Sequence, residues 1–213
     1  VLLGQRRGES GSSGRGTPVD AVVLGLGNPG PRFEGTRHNV GADALRVIAR
    51  RSGARLATER AAVAECARAK LGGRTVILGV PLTYMNDSGL AARALWKRGH
   101  QEDLSRLVVV HDELDLPPGL VRVKVGGGLA GHKGLISIRD HLGGAGFVRV
   151  RIGIGKPTGR AQGADWVLAR PGKADREALE VAVEVAADAV EAVVAEGPER
   201  AMCAFNGREL PPR

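Results

Sequence analysis

Short apolar runs alternate with stretches of helical periodicity along most of this chain. The run AVVLGLG at 21–27 is continuous and ends in glycines, as a buried strand does. A loop dense in Gly and Pro follows, GNPGPRFEGTRH. Val40, Ala44, Val47 and Ile48 then fall at helical spacing, with Gly53 as a stop. Residues 61–82 predict a hairpin turning at Gly72 and Gly73. NDSGLAARALWKRG predicts a helix with Asn86 or Asp87 near its N-cap. RLVVVHDELD is the clearest buried strand, and its polar residues are expected just past the strand end. LVRVKV and FVRVRIGIG alternate apolar and basic positions, so Arg122 shares a face with Lys124, and Arg149 with Arg151. Between them lie a second glycine-rich loop, GGGLAGHKG, and a helix, LISIRDHLG. A last long helix is predicted from about Lys173 to Glu196, ending at Gly197 and Pro198. Strands alternating with helices argue for a single α/β domain with polar loops at the strand ends.

Composition narrows the picture. The chain has 213 residues, 43% of them hydrophobic but only 3% aromatic, so the core is built from Ala, Val, Leu and Ile. The formal net charge of +8 favours polyanionic partners, or reflects a generally basic proteome. Cys66 and Cys203 lack metal-site spacing and are too few for a disulfide framework, which fits a reducing, cytoplasmic setting. No stretch approaches the ~20 apolar residues of a membrane span. Residues 1–18 lack the apolar stretch of a signal peptide and read as a disordered tail. The domain is expected over 19–207, with a flexible tail at 208–213.

The loop Gly25-Leu-Gly-Asn-Pro-Gly30 matches G-x-G-x-x-G literally. That fingerprint needs a helix to open at once, and here Pro29, Pro31 and Gly35 delay it. The polar residues after strands form a more coherent set: Asn28, His38 with Asn39, Asn86 and Asp112. Loops at the carboxyl ends of strands converge on one crevice in an open α/β sheet. An imidazole beside a carboxylate is a general-base arrangement, and asparagine amides can serve a developing oxyanion. Each residue also has an ordinary reading. Asn28 before Pro is common turn chemistry, Asn86 can cap its helix, and Asp112 can be a turn residue. No Ser sits in a nucleophile elbow and neither Cys is flanked by a His. A hydrolase built on these residues would activate water directly.

The stretches VLGLGNPGPRFEGTRHNVG, PLTYMNDSG, VVVHDELDLPPGLVRVKVGGGLAGHKGL and VRVRIGIGKP occur in this order between Val22 and Pro157. Together they resemble the bacterial peptidyl-tRNA hydrolase family, with a weaker match running on towards Asn206. The resemblance implies a monomeric, three-layer α/β domain with a mixed, mostly parallel central sheet flanked by helices. It implies hydrolysis of the ester between peptide and tRNA, recycling tRNA from peptides dropped by stalled ribosomes, with no metal or cofactor. By the same resemblance, His38 is the base that activates water and Asp112 supports it. Asn28 separates peptidyl from unblocked aminoacyl substrates, and Asn86 contacts substrate and the tRNA end. Phe33, where the family usually has Tyr, and Tyr84 hold the tRNA terminus. Arg122, Lys124 and Arg151 face the acceptor stem. The family loop usually reads Gly-His-Asn-Gly, but here it is GHKG, with Lys133 in place of Asn. Lysine only donates, and a cation near an imidazole disfavours its protonated form. Slower chemistry, partly offset by phosphate binding, is the expectation. Lys133 also keeps open a noncatalytic RNA-binding paralogue of the same fold.

Overall fold

The structure is a computed structural model that describes residues 17–157 and 163–207. Of the tails expected at 1–18 and 208–213, all but Thr17 and Pro18 lie outside the described residues. The elements are β1 (Ala21–Gly25), α1 (Val40–Arg51), β2 (Ala57–Glu59), β3 (Ala64–Leu71), β4 (Arg74–Pro81), α2 (Ser88–Arg98), β5 (Leu107–Glu113), β6 (Val121–Val125), α3 (Lys133–Leu142), β7 (Val148–Gly153), α4 (Gly163–Leu168), α5 (Lys173–Glu196) and α6 (Pro198–Asn206).

Among the described residues the strands form one seven-stranded sheet in the order β2-β3-β4-β1-β5-β7-β6. β4, β1, β5 and β7 are mutually parallel, and β2–β3, β3–β4 and β6–β7 are antiparallel pairs. β1 and the first part of β5 are continuous apolar runs because helices cover both their faces, whereas β7 alternates apolar and basic residues. Alternate residues serve the two sides. Val23, Val108 and Val110 join a core with α1, α5 and α6. Val22, Leu24, Leu107 and Val109 join a second core with α2 and α3. The β3–β4 turn is made by Gly72 and Gly73, both at positive φ (52° and 78°), the conformation a two-residue hairpin requires.

Three features depart from the sequence reading. β5 runs on through His111, Asp112 and Glu113, all buried, so these polar residues lie within the strand rather than past it. Their parallel neighbours continue the hydrogen-bonded ladder beyond the apolar run. Asp87, one of the two residues expected there, is the N-cap of α2, but its side chain makes no capping hydrogen bond. β2, α4 and α6 were not foreseen. α6 begins with Pro198 in its first turn, so the Gly-Pro pair that ends α5 also opens the next helix. Its Asn206 caps the sheet edge: Oδ1 accepts from Val123 N–H at 2.8 Å and Nδ2 donates to Val123 O at 2.9 Å.

The basic alternation is real, and Arg122 sits opposite Arg151 and Lys124 opposite Arg149 in the β6–β7 register. Two of these cations are structural. Arg149 is 2% exposed, and its guanidinium donates to the carbonyls of Gly126 and Gly128, folding the glycine-rich loop over the sheet. Arg122 donates to Phe205 O in α6 at 3.1 Å.

α1 approaches β1 and β5 so closely that a Cβ at Gly41 would collide with the carbonyls of Val110 and Leu26. Gly41→Ala is therefore expected to cost about 2 kcal/mol by overpacking, a fall in Tm of roughly 4–8 °C. An unchanged denaturation midpoint would show that the helix can ride up without penalty.

Candidate active site

The loop after β1 ends in a single 3-10 turn, Arg37–Asn39, immediately before α1. Its three side chains are anchored in three directions. Arg37 reaches Asp175 in α5 at 3.0 Å. His38 Nδ1 lies 2.8 Å from Asp112 Oδ1. Asn39 clamps the backbone of Asn28: its Oδ1 accepts from Asn28 N–H at 2.9 Å and its Nδ2 donates to Asn28 O at 3.0 Å. Asn28 in turn uses its Oδ1 to accept from Met85 N–H at 2.7 Å, which ties the β1 loop to the β4 loop and leaves its amide NH2 available in the cleft. This long-range bond replaces a purely local turn role for Asn28.

Asp112 Oδ1 accepts a second hydrogen bond, from His132 Nε2 at 3.0 Å. Asp112 is only 3% exposed. Burial alone would raise its carboxyl, but His132 and His38 overcome that and hold it well below the usual carboxylate range. A carboxylate only accepts, so both imidazoles must place an N–H on it. For His38 that proton is on Nδ1, which leaves the Nε2 lone pair free in the neutral ring. For His132 it is on Nε2, and the Nδ1 lone pair accepts from Leu135 N–H at 3.4 Å, capping α3. A third imidazole, His111, packs edge-on against His132 with ring centroids 5.0 Å apart. Its Nδ1 lies 2.6 Å from Asp112 O, and its buried Nε2 has no partner. Burial, then the neighbouring His132, pushes His111 well below the ordinary histidine range, so it is neutral.

His38, Asp112 and His132 place potential ligand atoms within 4.8 Å of one another. To ligate a metal, His132 would have to move its proton from Nε2 to Nδ1, where it would meet Leu135 N–H. The three groups instead satisfy one another as a hydrogen-bonded set.

These residues line a cleft of about 610 Å³. Asn28, Phe33, His38, Tyr84, Asn86, Asp112 and Lys133 all border it, so seven of the sequence candidates converge. Asn86 and Lys133 are exposed there. Phe33 and Tyr84 meet edge-to-face at 6.1 Å, and Tyr84 is 60% exposed, which leaves an aromatic surface at the rim. Arg122, Lys124 and Arg151 do not border the cleft; they occupy the adjoining β6–β7 face. Arg151 is linked to it through an ion pair with buried Glu113 at 2.9 Å. A second cavity, about 370 Å³, lies at the opposite end of the sheet beside Arg74 and the end of α5, away from these groups.

A family model described as peptidyl-tRNA hydrolase matches residues 22–213. The chain belongs to the peptidyl-tRNA hydrolase family. Among its relatives, one from Rubrobacter xylanophilus is 50% identical over 185 residues, covering 87% of this chain and 99% of that one. One from Cutibacterium acnes is 47% identical over 196 residues, covering 87% and 97%. A solved peptidyl-tRNA hydrolase from Acinetobacter baumannii superposes with a TM-score of 0.84 at 33% identity, covering 91% of this chain and 99% of that one. The α/β fold expected for the peptidyl-tRNA hydrolase family is the fold observed. No helix among the described residues is long and apolar enough to cross a membrane.

Sequence reasoning missed His132, His111, Arg37 and the apolar wall that Val167 and Leu168 of α4 give the cleft. His132 stands in GHKG beside the departure at Lys133, and a helix opening there was the available signal for a capping imidazole.

Because Asp112 is depressed in the folded state, its contribution to stability is full above the unfolded carboxyl value near ~3.9 and fades only as pH falls through the lower folded value. The carboxyl 13C signal of Asp112 is expected to show no titration step from pH 8 down to pH ~3. A step near ~4 would contradict the two-imidazole anchoring.

Proposed function

We propose that this chain hydrolyses the ester joining a peptide to the terminal ribose of tRNA, with His38 as general base and Asp112 as its support. The observation that carries the reading is the 2.8 Å contact between His38 Nδ1 and buried Asp112 in the floor of an open cleft. His38 is 12% exposed and Asp112 3%, so solvent reaches the imidazole while its partner stays dry.

The chemistry follows from that geometry. A water on Nε2 of His38 gives up a proton as its oxygen attacks the ester carbon. The imidazolium that forms is stabilised by Asp112. The tetrahedral oxyanion draws on amide donors such as the Asn28 NH2 and exposed Asn86. Collapse breaks the bond to the ribose oxygen, which leaves with the proton returned from His38. The products are a free peptide carboxylate and tRNA with its terminal hydroxyl. An ester is labile enough for one positioned water and one base. Family membership supports the substrate, since its members carry the name of this activity.

The tRNA end would meet Phe33 and Tyr84 by stacking at the rim. Phe33 stacks but lacks the hydroxyl of the Tyr usual at its position. The acceptor stem would lie on the β6–β7 face, where cations position phosphate without reading sequence. There Arg151 is already paired with Glu113 and Arg122 with the α6 backbone, so exposed Lys124 is the readiest phosphate contact. The same reading has the protein act as a monomer in the cytoplasm. Lys133, at the first turn of α3 on the cleft wall, brings a cation close to the His132–Asp112 pair, so chemistry slows and anion binding gains. It also favours the second reading, a noncatalytic RNA-binding relative.

Single-turnover cleavage of an N-blocked aminoacyl-tRNA tests both. His38→Ala is expected to lose at least ~100-fold, and Asp112→Asn about 10³-fold or more through loss of the correct tautomer. Lys133→Asn is expected to cleave faster and bind tRNA more weakly; equal rates and affinity would remove the role given to Lys133. Tight tRNA binding without cleavage by the unmodified protein would select the noncatalytic reading.

A further inference from the structure

Arg37 precedes His38 in the chain and is 3% exposed. Its side chain does not enter the cleft. It runs back under α4, the element whose Val167 and Leu168 form an apolar wall of the same cleft. The guanidinium lies over the Trp166 ring with 3.7 Å to the centroid. Nη1 donates to Ala169 O at 3.3 Å, and Nη2 donates to Asp175 Oδ2 at 3.0 Å. The Arg37 backbone N–H also donates to Ala169 O, at 3.3 Å. Nearby, Arg170 Nε donates to Glu34 O at 3.1 Å, and Trp166 Nε1 donates to Gly155 O at 2.8 Å. The segment 166–175 therefore backs the first residue of the turn that carries His38 and the loop leading into it.

This is a costly way to hold a turn. Arg37 Nε is buried without a hydrogen-bond partner. Asp175 is half-buried, but the guanidinium is buried, and a buried charge is often replaceable by apolar packing with no loss of stability. What apolar packing lacks is direction. A planar guanidinium stacked on an indole and bonded at two nitrogens allows one orientation. The turn is too short to move one residue without its neighbours.

We propose that Arg37 is a positioning residue that couples α4, the apolar wall of the cleft, to the aim of His38 at Asp112. The inference rests on the hydrolytic reading for its kinetic consequence but not for its structural one. A peptide seated against Val167 and Leu168 bears on the helix that Arg37 holds, so occupancy of the wall and alignment of the base are linked.

Arg37→Met keeps the bulk of the chain and removes the planar charge. It is expected to lower kcat at least ~10-fold with KM within about twofold, as a misaimed base does. Arg37→Lys retains the charge but not the stacking, and should restore kcat only in part. The low-field Nδ1–H proton line of His38 is expected to be sharp in the unmodified protein and to broaden by solvent exchange in Arg37→Met. Trp166→Leu and Asp175→Asn each remove one tether and decide the matter if Arg37→Met does not fold: each is expected to lower kcat several-fold with KM within about twofold, and unchanged kcat in both overturns the proposal. A folded variant with unchanged kcat and a sharp line overturns the proposal. If the unmodified protein cleaves nothing, the hydrolytic reading fails, and the proton line alone then decides the coupling.

Discussion

One oxygen of Asp112 accepts hydrogen bonds from two imidazoles that arrive from opposite sides, His38 from before α1 and His132 from before α3. The carboxylate is buried at the end of the central strand β5, where an unpaired charge would be severely penalised. Pairing it with two N–H donors makes its burial tolerable and fixes a proton on a known nitrogen of each ring. Much of the local architecture follows from this demand. The helices α1 and α3 sit on different faces of the sheet, and each delivers its N-terminal imidazole over the same strand end. Asn39 and Arg37, flanking His38, keep its turn from rotating away.

The sheet order supplies the room. β1 and β5 are adjacent and parallel, and the loops leaving them, with the loop after β4, open on the same side. The crevice so formed is walled on one side by aromatic Phe33 and Tyr84 and on another by the apolar face of α4. Beyond it the sheet continues into β7 and β6, whose second face carries alternating cations. A polar floor, an apolar wall and a basic shoulder in succession suit a substrate that is part peptide and part polyanion. The net charge of +8 is thus not evenly useful: Arg149 and Arg122 hold backbone carbonyls, and Arg151 neutralises Glu113.

The ends of α1 and α5 and the Gly72–Gly73 hairpin were legible because each combines a strong periodic pattern with explicit punctuation. β2 has three residues and α4 six, too few for a period to register. α6 was hidden because Gly197-Pro198 reads as a stop, whereas a proline in the first turn is also a start. In the site, His38 and Asp112 were legible as a pair through the family's spaced motifs, although 74 residues separate them. His132 and Arg37 stood within the same motifs but had no assigned task, since their partners lie on other elements. Arg37 finds Asp175 138 residues away, which no local pattern encodes. Alternation paired Arg122 with Lys124 and Arg149 with Arg151 on a shared face, as the register shows, but that pattern does not tell a free cation from one already bonded.

The site works only with opposite proton placement in two rings sharing one acceptor. The most direct measurement is the 15N–1H correlation spectrum of the histidine rings in the unmodified protein at mildly basic pH. His38 is expected to carry its proton on Nδ1 with Nε2 bare, and His132 to carry its proton on Nε2 with Nδ1 bare. A His38 ring protonated on Nε2 would leave no lone pair facing the cleft and would contradict the account at its centre.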